Sequence, residues 1–205
     1  MTMHTARLRT VAAFLLAGSV ATPRSAAQWG ISLEAHQVAF GGSSLDTSVG
    51  KDRESFRPAP AVLYGLRLDR RVGRLDVALA LRFARPGVIL ERKDIFAGQS
   101  GEFTLIEAAP EASYRLITTS AGARVHVYAG PVLGVWLLSG ENKRTVPGAA
   151  AGLAGEFAIS RRLGIWLRAG GALSRSVFQR GELPPEFVLR ATRRAQVSLG
   201  LRYGG

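Results

Sequence analysis

The 205-residue chain contains no cysteine, only three histidines and no block of consecutive lysines and arginines. Without cysteine there is no disulfide, no zinc–thiolate site and no redox dithiol, so stability has to come from packing or from closure of a sheet. Past residue 28 no apolar run reaches the roughly 20 residues of a membrane-spanning helix, which excludes a helical membrane protein. Histidine is too sparse and too scattered for a metal cluster: His4 lies near the start, and His36 and His126 stand apart. Gly41-Gly42 and Gly170-Gly171 lack the strand–loop–helix context of a phosphate loop. No cofactor is expected.

What is present begins with an export signature. Arg7 and Arg9 give a basic start, Val11 to Ala21 an apolar run, and Ser25-Ala26-Ala27 a small-residue cleavage site before Gln28. The run is too short to cross a bilayer, and Pro23-Arg24 interrupts it. Residues 1–27 are therefore expected to be a cleavable secretory signal and 28–205 the folded domain. Loss of three arginines takes the formal charge from +12 to +9, with 24 basic against 15 acidic residues. Those basic residues are dispersed and belong to no nucleic-acid-binding module, so anionic lipid head groups are the expected counter-charge and nucleic acid is not.

The dominant pattern beyond residue 28 is period-two alternation. Ala195, Val197, Leu199, Leu201 and Tyr203 interleave with Arg194, Gln196, Ser198, Gly200 and Arg202. Leu75 to Phe83 and Trp29 to His36 repeat the pattern, and weaker versions occupy Val62–Leu68, Thr104–Leu116, Val125–Leu137, Ala149–Ile159 and Ile165–Leu173. Eight strands result, most near the 9 to 11 residues or so that a tilted membrane strand requires. Connections alternate between long polar ones (about 41–57, 86–101, 139–147 and 175–187) and short ones around Arg70–Gly73, Thr118–Gly122 and Ser160–Leu163. This rhythm predicts an all-β fold: an eight-stranded antiparallel up-and-down transmembrane β-barrel with short periplasmic turns and longer extracellular loops. Pro110 and Pro131 fall inside apparent strands, and a missing N–H there predicts local bulges.

With the signal, the strands and the loop rhythm in place, residues 28–205 resemble the small OmpA-like and OmpX-like outer-membrane β-barrel proteins. Ser198-Leu199-Gly200-Leu201-Arg202-Tyr203 is similar to a barrel-assembly signal, with Ser198, Gly200 and Tyr203 at the spaced positions, although the chain ends Gly204-Gly205 rather than on an aromatic. Ala129-Gly130-Pro131 resembles the Gly-Pro strand of this group. The resemblance implies a monomer in the outer membrane of a Gram-negative envelope, inserted by barrel-assembly machinery. Its implied role is structural, envelope-stabilising or surface-interacting, and it transfers no catalytic residue.

Placing the apolar parity outward puts Glu34, His36, Arg67, Asp76, Arg82, Glu107, Glu111, Arg115, His126, Glu156 and Arg168 on the inward parity. Eight strands leave an interior just wide enough for side chains, so these charges are expected to pair and plug it. Trp29, Tyr64, Phe83, Tyr114, Trp136, Phe157, Trp166 and Tyr203 are expected to form interfacial girdles. Lys51, Arg53, Arg57, Lys143, Arg144, Arg175 and Arg180 lie in the long connections, where they are expected to contact lipopolysaccharide phosphates.

Three rival readings carry their own marks. A lipid A hydrolase could be built on Glu34, His36 and His126, but His126 is followed by Val127-Tyr128 rather than by the His-x-Ser pattern of eight-stranded deacylases, so no enzyme is expected. A narrow channel would need an unplugged lumen. A soluble lipocalin-like barrel alternates equally well but turns its apolar parity inward around a ligand.

Overall fold

The computed structural model describes residues 28–46, 54–92, 95–99, 103–120, 122–137 and 143–204. The signal segment, Lys51 and Arg53 lie outside the described residues.

Eight strands close into one antiparallel barrel. They are β1 (Gln28–Asp46), β3 (Ala61–Val72), β4 (Leu75–Ala84), β7 (Thr104–Thr118), β8 (Arg124–Leu137), β9 (Lys143–Ala158), β10 (Leu163–Ser174) and β11 (Phe187–Gly204). Each pairs with its neighbour along the chain, and β1 pairs with both β3 and β11 to complete the ring. Closure leaves the barrel no free sheet edge, so that without disulfides its wall satisfies its backbone through strand pairing. Three further strands, β2 (Glu54–Pro58), β5 (Val88–Arg92) and β6 (Ile95–Gln99), form a separate small sheet in the order β2-β5-β6. The first two long connections are therefore partly strand rather than polar loop. β1 reaches Asp46, with a bulge where Ser43 (φ 79°) takes a left-handed conformation and bonds Thr192 Oγ1 through its hydroxyl at 2.6 Å. The fourth connection folds back too: a short 3-10 turn (Arg180–Glu182) follows Val177 and Phe178, which are buried.

The alternation maps onto the two walls. Leu33, Leu68, Leu79, Leu81, Ile106, Leu153, Leu167, Val197 and Leu199 are exposed, while the residues between them on the same strands point inward. A lipocalin-like barrel has the opposite polarity, so the apolar exterior excludes that arrangement.

Two sequence expectations are corrected. Pro110 and Pro131 cause no bulge: the register Ala108↔Leu133 resumes as Ala112↔Ala129, which sets the two prolines opposite each other, and the register shift on this pair falls between Arg115 and Ile117. Neither proline has an N–H to donate, and by facing each other they confine that loss to one place along the β7–β8 seam. Of the aromatics expected in the girdles, Trp29, Tyr64, Phe83, Tyr114, Phe157 and Tyr203 are exposed, but Trp136 and Trp166 are 5% and 2% exposed and face the interior. Their parity along β8 and β10 is that of His126 and Arg168, so aromatic character misassigns what alternation already fixes.

Candidate functional site: the barrel interior

From the long-loop end downward, the interior is apolar, then charged. Val38, Phe40, Leu63, Ala84, Leu105, Trp136 and Val146 project from strand ends and meet Phe103, Val177 and Phe178 from the connections. Their rings contact edge to face: Phe40–Trp136 at 5.9 Å between centroids, Phe103–Trp136 at 6.1 Å and Phe103–Phe178 at 6.4 Å, and Phe56 extends the row to Phe178 and Phe187. Such geometry aligns ring edges with the electron-rich faces of neighbours. The inward parity is thus apolar near the long connections and charged only below them.

Beneath this layer lies a first charged cluster on β1, β3, β4, β7, β10 and β11. Arg82 donates to Glu107 Oε1 at 2.8 Å and to Glu111 Oε1 at 2.5 Å. Arg194 reaches both oxygens of Glu107, at 2.5 and 3.1 Å. Arg168 donates to Glu111 Oε2 at 2.6 Å and, more weakly, to Glu34 Oε2 at 3.4 Å; Arg67 lies 3.4 Å from Glu111 Oε2. His36 Nε2 sits 3.0 Å from Glu34 Oε2. All are buried, and forked Arg–carboxylate pairing is what makes that tolerable.

A second cluster occupies the short-turn end. Arg202 grips Asp69 (2.8 and 3.2 Å), while Arg71 bridges Asp76 (3.0 Å) and Glu156 (2.8 Å). Arg124 adds a bond to Glu156 at 3.2 Å, and His126 lies 3.5 Å from Asp76 and 3.6 Å from Glu156. Between the clusters stand Tyr128 and Trp166. The Arg168 guanidinium lies 4.0 Å over the Tyr128 ring, Arg67 lies 5.2 Å over Trp166, and the His126 ring packs 5.0 Å from Trp166.

Ten of the eleven inward charges named from sequence are gathered here: Glu34, His36, Arg67, Asp76, Arg82, Glu107, Glu111, His126, Glu156 and Arg168. Arg115 is a correction. It is only half-buried and donates to the Gly73 carbonyl at 3.1 Å, because the β7 irregularity beside it falls at the short-turn rim. Asp69, Arg71, Arg194 and Arg202 are missing from the sequence-derived set. Arg194 and Arg202 lie on the wet parity of β11 in plain view. Asp69 and Arg71 escape because the apparent strand stops at Leu68, although the same alternation continues to Val72.

The hydrolase arrangement does not assemble. His36 belongs to the first cluster and His126 to the second, and among the described residues no serine hydroxyl bonds to either imidazole. Of the expected lipopolysaccharide contacts, Lys143, Arg175 and Arg180 are exposed, whereas two are engaged by the protein itself. Arg57 donates to the Phe40 carbonyl at 3.1 Å, and Arg144 pairs with Glu182 and donates to the Val177 carbonyl. On β11, Ser198 and Gly200 face inward, with Gly200 against Glu34, and Tyr203 faces outward.

No protein-family model and no curated protein matches the sequence. Solved structures do match in shape. OprG from Pseudomonas aeruginosa superposes with a TM-score of 0.55 at 11% identity, over 88% of this chain and 96% of that one. Neisserial surface protein A matches with a TM-score of 0.51 at 15% identity, over 85% and 96%. A major outer membrane protein from Thermus thermophilus matches with a TM-score of 0.50 at 14% identity, over 86% and 99%. Closed ring, apolar outer wall, charged inner wall and these likenesses together give the chain the fold of the small eight-stranded outer-membrane β-barrel proteins.

Proposed function

We propose that this chain is a monomeric integral protein of the bacterial outer membrane, exported with cleavage near Ala27, whose lumen is plugged by its own side chains. Its role is then structural, envelope-stabilising or surface-interacting rather than catalytic. One observation carries the reading: the outer wall is apolar while charge is sequestered inside. Leu33 is 67% exposed and its neighbour Glu34 5%. In water such a surface would aggregate; in hydrocarbon it is the stable arrangement.

The two clusters support plugging. Guanidinium–carboxylate bonds tie β7 to β4 and β11 in the first cluster, and β3 to β4, β9 and β11 in the second, beneath the ring-to-ring contacts of the apolar layer. Lipid partners divide by end, with exposed Lys143, Arg175 and Arg180 suited to lipopolysaccharide phosphates on the long-loop side.

Fractionation with gel migration before and after boiling tests the membrane assignment: a compact band that converts only on heating is expected, and recovery as a freely soluble species ends the proposal. Planar-bilayer recording tests the plug separately. No steady conductance is expected; stable open-channel steps would show an unplugged lumen in a barrel that is still membrane-embedded.

A further inference from the structure

At the short-turn mouth the strand ends enclose a cavity of about 240 Å³, walled by Arg71, Arg124, Arg161, Arg162 and Arg202 with Glu156 as the one acid among its lining residues. We propose that this mouth is a binding site for a multivalent oxyanion, a phosphate or clustered carboxylates, presented from the periplasmic side.

Excess positive charge and free guanidinium donors suit the mouth to an anion. Arg71, Arg124 and Arg202 are matched by Asp69, Asp76 and Glu156 through the bonds of the second cluster. Arg161 and Arg162, on the turn between β9 and β10, are exposed and form no salt bridge among the described residues, so the described residues of the mouth carry two positive charges in excess. The matched arginines also keep donors in reserve. Arg71 Nη1 and Arg124 Nη2 form no hydrogen bond among the described residues, and Arg202 Nη1 stands 3.8 Å from Glu156, too far for one. A guanidinium offers planar, paired N–H groups suited to phosphate or carboxylate oxygens.

The turn is built to hold its pair of arginines in place. Ser160 Oγ accepts from the backbone N–H of Arg162 and Leu163 at 3.3 and 3.1 Å, and the Gly204 N–H donates to the Arg162 carbonyl at 2.9 Å. An anion entering here meets preset charge in a partly enclosed space, where Coulomb attraction is less screened than on an open surface.

Such an anion could be a free periplasmic solute or a lipid head group, and the experiment separates them. The full chain, folded in zwitterionic detergent, is titrated calorimetrically with pyrophosphate and, separately, with micelles containing phosphatidylglycerol. Arg161→Gln/Arg162→Gln is compared with Arg190→Gln/Arg193→Gln, exposed near the opposite end on β11. Saturable 1:1 pyrophosphate binding, weakened about tenfold or more in the first variant and unchanged in the second, assigns a solute site. Response to phosphatidylglycerol alone, with the same variant sensitivity, assigns a head group. If neither probe shows binding that depends on Arg161 and Arg162 while heat-dependent gel migration is intact, the proposal is overturned.

Discussion

Tyr128 and Gln196 meet across two intervening strands: Gln196 Nε2 donates to the Tyr128 hydroxyl at 3.3 Å. Register explains the reach. Tyr128, Gly152, Gly170 and Gln196 lie in one row across β8, β9, β10 and β11, and the two glycines leave a flat floor for the phenol. A Cβ at Gly152 would stand 2.6 Å from the Tyr128 hydroxyl and 2.7 Å from the Gly170 Cα. Gly152→Ala should therefore destabilise the barrel by about 1–3 kcal/mol through overpacking. The check is the urea midpoint for loss of the heat-modifiable band; an unshifted midpoint would mean that the β10 backbone at Ala169 and Gly170 gives way as well as the ring.

Arg82 is the only cation that hydrogen-bonds both Glu107 and Glu111 among the described residues. Removing it strands two buried carboxylates that keep only Arg194 and Arg168 as donors. Arg82→Ala is expected to cost about 3–5 kcal/mol. Arg82→Lys, which restores a cation beside both carboxylates without the planar fork, should recover part of that loss, whereas removing Glu107 and Glu111 as well would leave Arg194 and Arg168 without these acceptors. The same denaturation series decides it, and a lysine variant no better than the alanine one would refute this account.

The outer wall makes a different prediction. Leu79 sits midway along β4, exposed, between Leu68 and Pro110 on its neighbours. In hydrocarbon Leu79→Arg costs about 2–4 kcal/mol, whereas on a water-facing wall it would be close to neutral. Refolding yield into phosphatidylcholine vesicles, compared with that of Leu79→Ala, separates the two cases.

Tryptophan placement can be read optically. Trp29 is 55% exposed on the outer wall beside Arg70, while Trp136 and Trp166 are buried inside. In single-tryptophan variants, brominated lipid should quench Trp29 strongly and the other two weakly. Equal quenching of Trp166 would place β10 in the wrong register.

Most of the barrel is legible in the sequence because parity is robust: one inside–outside choice, made on Leu75 to Phe83, places every residue of that strand. Legibility fails where a second signal competes with parity. Aromatic character draws Trp136 and Trp166 to the interface although their strand positions turn them inward. Polarity cuts β3 short at Leu68, losing Asp69 and Arg71, because a charged pair at the rim looks like a turn until its partners Arg202 and Asp76 are known. The small sheet of β2, β5 and β6 lies in stretches that read as polar connection. Arg144 shows the limit for surface charge, since its attachment to Glu182, 38 residues away, is a tertiary fact.

The facing prolines have a consequence for how the wall comes apart. Between Ala108↔Leu133 and Ala112↔Ala129 no residues are paired, and a Cβ added at Gly130, alongside, would meet the Pro110 carbonyl first. Unzipping β7 from β8 across this stretch forfeits fewer amide bonds than parting any seam of unbroken pairing. Mechanical or detergent stress should thus start its tear there, opening the cylinder beside Glu111 and exposing the first ionic cluster before the second.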